Sequence, residues 1–244
     1  MREFSGKRYW LVGGSAGLGK ALAHKLARVG AKVVISARSE DDLKAAVAEI
    51  GPNASYVTMD VSDAEDVARA VDEVGEIDGY VHLAGVYWPM AAQEWDVEKA
   101  TAMVDINFTG MVRVLGHVVA PMVARDEGHI VITSSLTGFR GLPGSIGYTA
   151  SKAAAMSLAE CMECDLRKTG VDVQVANPGF IKTQLTDKNE FNMPFIMEPD
   201  EAAEIMFQHM QSSGFKRSFP TQFSLLFRGS QFLPDWLYFR MFGK

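Results

Sequence analysis

The sequence predicts a single α/β domain built on a doubly wound parallel sheet with helices on both faces. A glycine-rich turn at residues 13–19 joins a short apolar run to a helix-like segment. The later apolar runs are nearly continuous, as in strands buried on both faces of a parallel sheet. Strand-like and helix-like segments alternate as far as residue 178, without a stretch that looks like a linker.

Short apolar runs that end at glycine, proline or polar residues predict six strands. In chain order, they are residues 9–12, 32–37, 56–59, 79–85 with the strand exit, 129–133 and 171–176. We expect these strands to lie parallel in one sheet, with right-handed crossovers between them.

The segments between the strands predict helices, and several ends carry capping signals. Gly30 ends the first helix, Ser39 caps the second, and Ser62 with Glu65 forms a capping box for the third. The long fourth helix is expected to bend near Pro121, because proline cannot donate to the helix ladder. The predicted helices are residues 20–29, 40–50, 63–74, 98–124 and 148–168.

Composition excludes several classes of protein. The chain has 244 residues, of which 48% are hydrophobic and 22% charged, as in a soluble domain with a substantial core. Its net charge of −6 gives a nucleic-acid partner no electrostatic support. No apolar run approaches the ~20 residues of a transmembrane helix, and the N-terminus has no secretory apolar region.

The two cysteines predict neither a metal site nor a redox site. Cys161 and Cys164 fall inside a predicted helix, and no second cysteine pair accompanies them. We therefore expect a structural role for both and a reduced, cytoplasmic compartment.

The glycine turn has the context of a phosphate-binding loop, since it follows a strand and opens a helix. Glycines allow a pyrophosphate to approach the main chain, and the helix start offers N–H groups to the anion. An ordinary strand-to-helix turn is the alternative. If the loop binds a cofactor, its contacts are expected from Gly13, Ser15, Ala16, Gly17, Leu18 and Gly19.

Ligands of doubly wound sheets bind at the carboxyl ends of the strands. Most of the predicted strands end in glycine or a polar residue, which places a crevice at that edge. These ends carry Gly13–Gly19, Arg38, Asp60, Ala84-Gly85, Ser135 and Pro178-Gly179.

Assembled in this way, the chain resembles the short-chain dehydrogenase/reductase family from about residue 7 to 203, which implies a Rossmann-type fold. The glycine turn resembles T-G-x-x-x-G-x-G, with Val12 where threonine is usual. His82-Leu83-Ala84-Gly85 stands where the family has N-N-A-G, and His82 either replaces the asparagine hydrogen bonds or packs. The resemblance implies cofactor contacts from Asp60, Val61, Ala84, Gly85, Pro178, Gly179, Ile181 and Thr183.

Four residues match the family's catalytic pattern: Ser135, Tyr148 and Lys152 of Y-x-x-x-K, and Asn107 of the fourth helix. Tyr148 and Lys152 share a helical face, and a neighbouring ammonium is expected to lower the tyrosine pKa from ~10. The resemblance implies that Tyr148 protonates the alkoxide formed by hydride transfer, while Ser135 hydrogen-bonds the same oxygen. It also implies that Lys152 holds the ribose and that Asn107 organises a water beside Lys152.

The end of the second strand indicates the cofactor. An acidic residue there would bind the ribose hydroxyls of NAD and repel a 2′-phosphate. This chain has Ala37 followed by Arg38, whose guanidinium suits a phosphate. We predict NADP(H) rather than NAD(H), with a solvated Arg38 as the alternative.

Residues 1–213 are assigned to the cofactor-binding catalytic domain and residues 214–244 to a C-terminal extension. The extension holds nine aromatic and five basic residues against one acid. Phe219, Phe223 and Phe227 are spaced along one helical face, with Gly229 as a stop and Pro234 as a new start. Packing on the core or a second subunit, lining the substrate pocket, and lying on a membrane surface stay open.

The expected function is an NADPH-dependent oxidoreductase that interconverts a carbonyl and a secondary alcohol. The apolar loop after Thr183, which includes Phe191, Phe195 and Ile196, implies a small hydrophobic substrate. A non-catalytic NADP(H) sensor is the alternative, although such a sensor has no need of Ser135, Tyr148 and Lys152 together. The family often forms dimers or tetramers, so a homo-oligomer is expected.

Overall fold

In the computed structural model, which describes residues 1–188 and 193–243, a seven-stranded parallel sheet lies between two layers of helices. The strands are β1 Arg8–Val12, β2 Lys32–Ala37, β3 Ala54–Thr58, β4 Gly79–His82, β5 Gly128–Thr133, β6 Val171–Pro178 and β7 Lys216–Phe219. The helices are α1 Gly17–Arg28, α2 Glu40–Ile50, α3 Ala64–Val74, α4 Val97–Val104, α5 Gly110–Arg125, α6 Ile146–Leu166, α7 Pro199–Gln211, α8 Thr221–Ser230 and α9 Asp235–Phe242. The predicted fold class is confirmed.

The sheet has the strand order β3-β2-β1-β4-β5-β6-β7. β1 pairs with β2 on one side and with β4 on the other, so the direction of winding reverses at β1. A crevice for a ligand forms at such a switch point, beyond the carboxyl ends of the strands.

Alternate residues of each strand face opposite helical layers, which divides the core into two. On one face, Leu11 of β1 packs with apolar residues of α1, α2 and α7. On the other, Trp10 packs with residues of α3, α5 and α6. Burial on both faces explains why the central strands β1, β4 and β5 are largely apolar.

The predicted cap of the second helix is present, whereas the capping box predicted for the third helix is wrong. The Ser39 hydroxyl accepts a hydrogen bond from the Asp42 N–H. For α3, the Asp63 carboxylate accepts from the backbone N–H groups of Glu65 and Asp66. The hydroxyl of the preceding serine is bound to Asp60 instead, so the carboxylate one residue later becomes the cap.

The predicted long helix runs continuously from Val97 to Arg125, but a π-helical segment, Asp105–Thr109, separates α4 from α5. The sequence did not indicate this wider turn. Pro121 lies inside α5. The bend near it stays a prediction. Among the described residues, this is the one helical stretch that is long and apolar enough to cross a membrane, judged by length and composition alone. The sequence had indicated no such stretch. The buried residues of this helical stretch pack in the core of the domain, where they join α3, α6 and the sheet.

The C-terminal residues add a seventh strand and two short helices. β7 pairs with β6, and Phe219 is buried in it rather than lying on a helix. Phe223 and Phe227 share the inner face of α8, and α9 starts directly after Pro234. Cys161 and Cys164 are free thiols on the exposed side of α6.

Candidate active site

The glycine turn closes tightly over the carboxyl end of β1. The N–H groups of Gly13 and Gly14 both donate to the Ser36 carbonyl, at 2.8 and 3.3 Å. Gly13 has a φ of +92°, and a Cβ on it would lie 2.4 Å from the Ala84 nitrogen. A Cβ on Gly19 would lie 2.0 Å from the Gly13 carbonyl oxygen. Both positions therefore exclude any side chain.

The start of α1 faces the segment that follows β6. Gly17 has a φ of +51°, and a Cβ there would lie 2.8 Å from Cγ2 of Thr183. The Thr183 N–H donates to the Thr186 hydroxyl, which in turn donates to the Ile181 carbonyl at 2.7 Å. The structure thus brings together two segments that the sequence had assigned separately to cofactor binding.

The first helical turn is suited to an anion. Gly17 is the first residue of α1, and the first turn contains no acidic residue. Ala16 is exposed at the N-cap, Ser15 is half-buried, and Leu18 packs against the apolar core. Of these three predicted contacts, Leu18 can offer its backbone N–H only, because its side chain faces inward.

The adenine side of the predicted site lies at the ends of β2 and β3. Arg38 is exposed immediately after β2, and it forms no ion pair with residues 1–188 or 193–243. Asp60 accepts hydrogen bonds from the N–H and hydroxyl of Ser62, at 2.9 and 2.6 Å. Val61 is buried beside the π-helical segment, against Gly110. The polar groups of Arg38 and Asp60 therefore lie at the edge where the ribose of a dinucleotide would bind.

The exit of β4 joins this edge to the predicted catalytic residues. The Ala84 N–H donates to the Val12 carbonyl at 2.8 Å, which fixes the exit against β1. A Cβ on Gly85 would lie 3.3 Å from Oδ1 of Asn107 and 3.7 Å from Nζ of Lys152. The absence of a side chain at Gly85 keeps both groups within reach of the crevice.

Asn107 is held by hydrogen bonds at both ends of its amide. Its Oδ1 accepts from the Val86 N–H at 2.7 Å. Its Nδ2 donates to the Val86 carbonyl and to the Ser151 hydroxyl, at 2.9 and 3.1 Å. These bonds tie the π-helical segment to the loop after β4 and to α6.

Lys152 is buried behind the crevice. Its ammonium donates to the Thr133 carbonyl at 3.0 Å, and the residue is 4% exposed. Burial lowers its pKa from 10.5 to about 8, since an ammonium loses hydration in the interior. The side chain is therefore charged at neutral pH and becomes neutral under mildly alkaline conditions.

Tyr148 lies one helical turn before Lys152. Burial raises the pKa of Tyr148 to about 12, and a hydrogen bond with Ser135 offsets only part of this effect. The expectation of a lowered pKa was wrong for this site because burial outweighs the interactions that favour the phenolate. The Lys152 ammonium, 5.7 Å from the centre of the tyrosine ring, is directed to the Thr133 carbonyl.

A cavity of about 280 Å³ opens in front of Ser135 and Tyr148. Its other walls come from the loops that follow β4, β5 and β6 and from α8. The sequence named none of these wall residues individually as a site residue, although α8 belongs to the C-terminal extension, for which lining the substrate pocket was one of the open alternatives. The wall residues include Tyr87, Leu136, Thr137, Leu142, Pro143, Ser145, Phe180, Leu185, Thr186, Phe223 and Phe227. Tyr87 also packs edge-on against Tyr148, with ring centres 5.1 Å apart. The apolar loop expected to cover the substrate falls partly outside the described residues, at Phe191.

His82, which stands in place of an asparagine, is buried at the end of β4. Its Nδ1 hydrogen-bonds the Tyr80 hydroxyl at 2.6 Å. Burial lowers its pKa to about 3, so the ring is neutral. His82 therefore packs in the core and also satisfies a buried tyrosine hydroxyl.

Comparison with known proteins agrees with this architecture. The sequence matches the family described as short chain dehydrogenase over residues 7–193. An uncharacterized oxidoreductase of Myxococcus xanthus is 38% identical over 98% of this chain and 97% of its own length.

Two solved structures share the fold. A short-chain dehydrogenase/reductase from Burkholderia phymatum, in complex with NAD, has a TM-score of 0.86 and 24% identity, covering 93% of this chain and 94% of its own. An actinorhodin polyketide ketoreductase with NADPH has a TM-score of 0.78 and 24% identity, covering 89% and 97%. With the family match spanning most of its length, this chain belongs to the short-chain dehydrogenase/reductase family of NAD(P)-dependent oxidoreductases.

Proposed function

We propose that this protein is an NADPH-dependent oxidoreductase that interconverts a carbonyl and a secondary alcohol on a small hydrophobic substrate. One observation carries the proposal. Ser135 and Tyr148 line the same apolar cavity, and the Lys152 ammonium lies behind the tyrosine ring. A carbonyl oxygen placed in this cavity would meet two hydroxyl donors on a helix and a loop that are already held in position.

The cofactor site fits a dinucleotide phosphate. Gly13 and Gly19 let the turn pack closely against Ala84 and against itself, and Gly17 lets the start of α1 approach Thr183. The N-terminus of α1 attracts an anion. The exposed Arg38 is suited to a 2′-phosphate, which favours NADP(H) over NAD(H). When bound, the nicotinamide supplies the hydride for reduction or accepts it in oxidation.

The residues of this chain would move and stabilise the proton. With a pKa of about 12, the Tyr148 hydroxyl keeps its proton at neutral pH and can donate it from Oη to a developing alkoxide. Ser135 would donate a hydrogen bond to the same oxygen, and such pre-oriented donors stabilise charge in the transition state. Lys152 remains cationic below its pKa of about 8 and would hold the ribose hydroxyls.

The cavity walls support an apolar substrate. Leu136, Phe223 and Phe227 form one buried cluster with Phe139, Leu142 and Phe180 packed against it. Their hydrocarbon surface offers few partners for a polar substrate, so binding energy would come mainly from burial of apolar area. The volume of about 280 Å³ is at the small end of ligand pockets.

The test is a panel of apolar ketones, aldehydes and secondary alcohols, followed at the nicotinamide absorbance with NADPH and NADH separately. Turnover of an apolar carbonyl with NADPH is expected, and Tyr148→Phe should reduce it by about 10² or more while NADPH still binds. NADPH binding without turnover across the panel would support the alternative, a cofactor-binding sensor. Near-normal turnover by the phenylalanine variant would exclude Tyr148 as the proton donor.

We also propose a cytoplasmic homo-oligomer, dimer or tetramer, on the strength of the family resemblance. The absolute mass in solution, measured by light scattering, tests the oligomeric state. A monomer over the working concentration range would contradict it.

A further inference from the structure

The two C-terminal helices and the turn between them carry an exposed apolar surface, which we call the C-terminal surface. It consists of Leu225, Leu226, Phe232, Trp236, Phe239 and Met241, together with Arg228 and Arg240. Phe232 is 88% exposed and Trp236 69% exposed, although these two residue types are usually the most costly to leave in water. So many large apolar side chains on two short helices and the turn that joins them mark a site of interaction.

Each helix is amphipathic, with this surface on its outer side. In α8, Phe223 and Phe227 face the interior, which places Leu225 at the centre of the opposite face between Leu226 and Arg228. In α9, the buried residue is Tyr238, which places Trp236 and Arg240 outward. Aromatic and leucine side chains beside arginine are typical of helices that lie in the headgroup region of a bilayer.

Arg140 fixes the position of α9 and of the turn that joins it to α8. Its guanidinium donates to the carbonyls of Ser230 and Leu233, and it pairs with Asp235 at 2.7 Å. It also lies over the Tyr238 ring, 3.9 Å from its centre. The apolar side chains are therefore presented on an ordered element, so binding would not require the helices to fold first.

The charge of this region complements an anionic surface. Residues 214–243 contain four basic residues and one acid, whereas the whole chain has a net charge of −6. Two of the four basic residues lie on β7, where Lys216 pairs with Glu160, which leaves Arg228 and Arg240 on the C-terminal surface. The acid, Asp235, is already paired with Arg140. Arg228 and Arg240 form no ion pair within residues 1–188 and 193–243. A symmetric contact with a second copy would place two copies of this patch in one interface, with four arginines in all that lack an ion pair in the described part of the chain, because a two-fold interface pairs one patch with itself.

We propose that the C-terminal surface binds peripherally to the surface of an anionic phospholipid bilayer. The aromatic side chains enter the headgroup region, and the arginines remain at the level of the lipid phosphates. The inner face of α8 lines the cavity in front of Tyr148, through Phe223 and Phe227. Docking therefore places the wall of the cavity next to lipid. This last step rests on the proposed function and suits a substrate that partitions into membranes.

The experiment is sedimentation of the full-length protein with phosphatidylglycerol/phosphatidylcholine vesicles and with phosphatidylcholine vesicles alone. Binding is expected with the anionic vesicles and should weaken when salt is raised. Phe232→Ser combined with Trp236→Ser should reduce the affinity at least tenfold, since both side chains lose their burial in the interface. Arg228→Glu with Arg240→Glu should reduce it at least tenfold as well.

Matched controls lie near the amino ends of the strands, whereas α8 follows the carboxyl end of β7. Arg167 and Lys168, both exposed at the end of α6, carry the same charge as the arginine pair. Arg167→Glu with Lys168→Glu should leave vesicle binding within twofold of the wild type. Val29→Ser, at the exposed end of α1, is the apolar control. Melting curves of every variant show whether the fold is retained.

Absence of binding to anionic vesicles would overturn the proposal, whatever the enzymatic activity. Equal losses in the control and test variants would also overturn it, because binding would then reflect total charge. A halved solution mass of the Phe232→Ser, Trp236→Ser variant would identify the surface as a subunit interface. The vesicle measurement needs no turnover, so it fails or succeeds independently of the proposed reaction.

Discussion

Replacing Lys152 by methionine should stabilise the fold at neutral pH while it abolishes the proposed activity. Lys152 is 4% exposed, and its ammonium donates a hydrogen bond to the Thr133 carbonyl. Methionine has a similar length and no charge, so it fills the same space without the cost of removing an ammonium from water.

The magnitude follows from the pKa of the buried ammonium. A decrease from 10.5 to about 8 corresponds to about 3 kcal/mol of unfavourable free energy in the folded state at pH 7. Loss of the hydrogen bond to the Thr133 carbonyl reduces the expected gain in stability by about 1–2 kcal/mol. The net gain is therefore about 1–2 kcal/mol, or roughly 2–8 °C in Tm for a domain of this size.

The sign of the pH dependence provides an independent check. Between about pH 8 and 10.5, the unfolded chain binds the Lys152 proton and the folded protein does not. Wild-type stability should therefore rise with pH through this window relative to the variant, and the difference should vanish or reverse above it. Comparing the two proteins removes the contribution of the other titrating groups.

The assay is urea unfolding of both proteins at several pH values from 7 to 10.5, with the m-values compared to confirm that the same surface is exposed. A methionine variant that is less stable at pH 7 by more than about 1 kcal/mol would refute the reasoning. It would mean that the ammonium is solvated or paired well enough to contribute net stability.

Three further predictions concern the cofactor, the reaction and the C-terminal helices. Arg38→Asp should weaken NADPH binding and reduce or reverse the preference for NADPH over NADH, because a carboxylate repels the 2′-phosphate. Fluorescence titration with each cofactor measures the two affinities, and an unchanged NADPH affinity would mean that Arg38 has no phosphate contact. The kcat/KM for carbonyl reduction should fall as pH rises through about 8, where Lys152 loses its proton; a flat profile from pH 7 to 9 would contradict this assignment. Deleting residues 230–244 should lower Tm, because Tyr238 is 3% exposed and Arg140 loses its contacts with the segment; an unchanged melting curve would show that α9 adds no stability.

Local and periodic signals were enough to predict most of the fold. Apolar runs located β1 to β6 within a few residues, and the Ser39 cap was correct because its hydroxyl acts on the next turn of its own helix. The Asp63 cap was missed, since the choice between two neighbouring acceptors depends on where Ser62 donates its own hydrogen bond. β7 was missed because a four-residue strand with two basic residues has no apolar pattern.

The residues of the candidate site also fall into those that the sequence could predict and those that it could not. Residues in spaced motifs, such as Tyr148 and Lys152, could be placed on one helical face from the sequence. For the cavity wall, the sequence left lining by the C-terminal extension as one of several alternatives. It could not decide among them, since Phe180, Phe223 and Phe227 meet only after β6 and β7 pair and α8 folds back. The pKa of Tyr148 was predicted in the wrong direction because the sequence shows a neighbouring charge but not the extent of burial.

The π-helical segment at Asp105–Thr109 has a consequence for insertions and deletions in this part of the chain. Each residue of an α-helix advances the chain by about 100°, so one extra residue in a wider turn changes the rotational phase of everything that follows. Here the phase shift lets Asn107 reach the backbone of Val86, while Met103 before it and Met111 after it both face the interior. Removing one residue would convert the π-helical turn into an α-helical one. Either Asn107 would then turn away from Val86, or Met103 or Met111 would turn away from the interior. The length of this segment is therefore as constrained as its residue types.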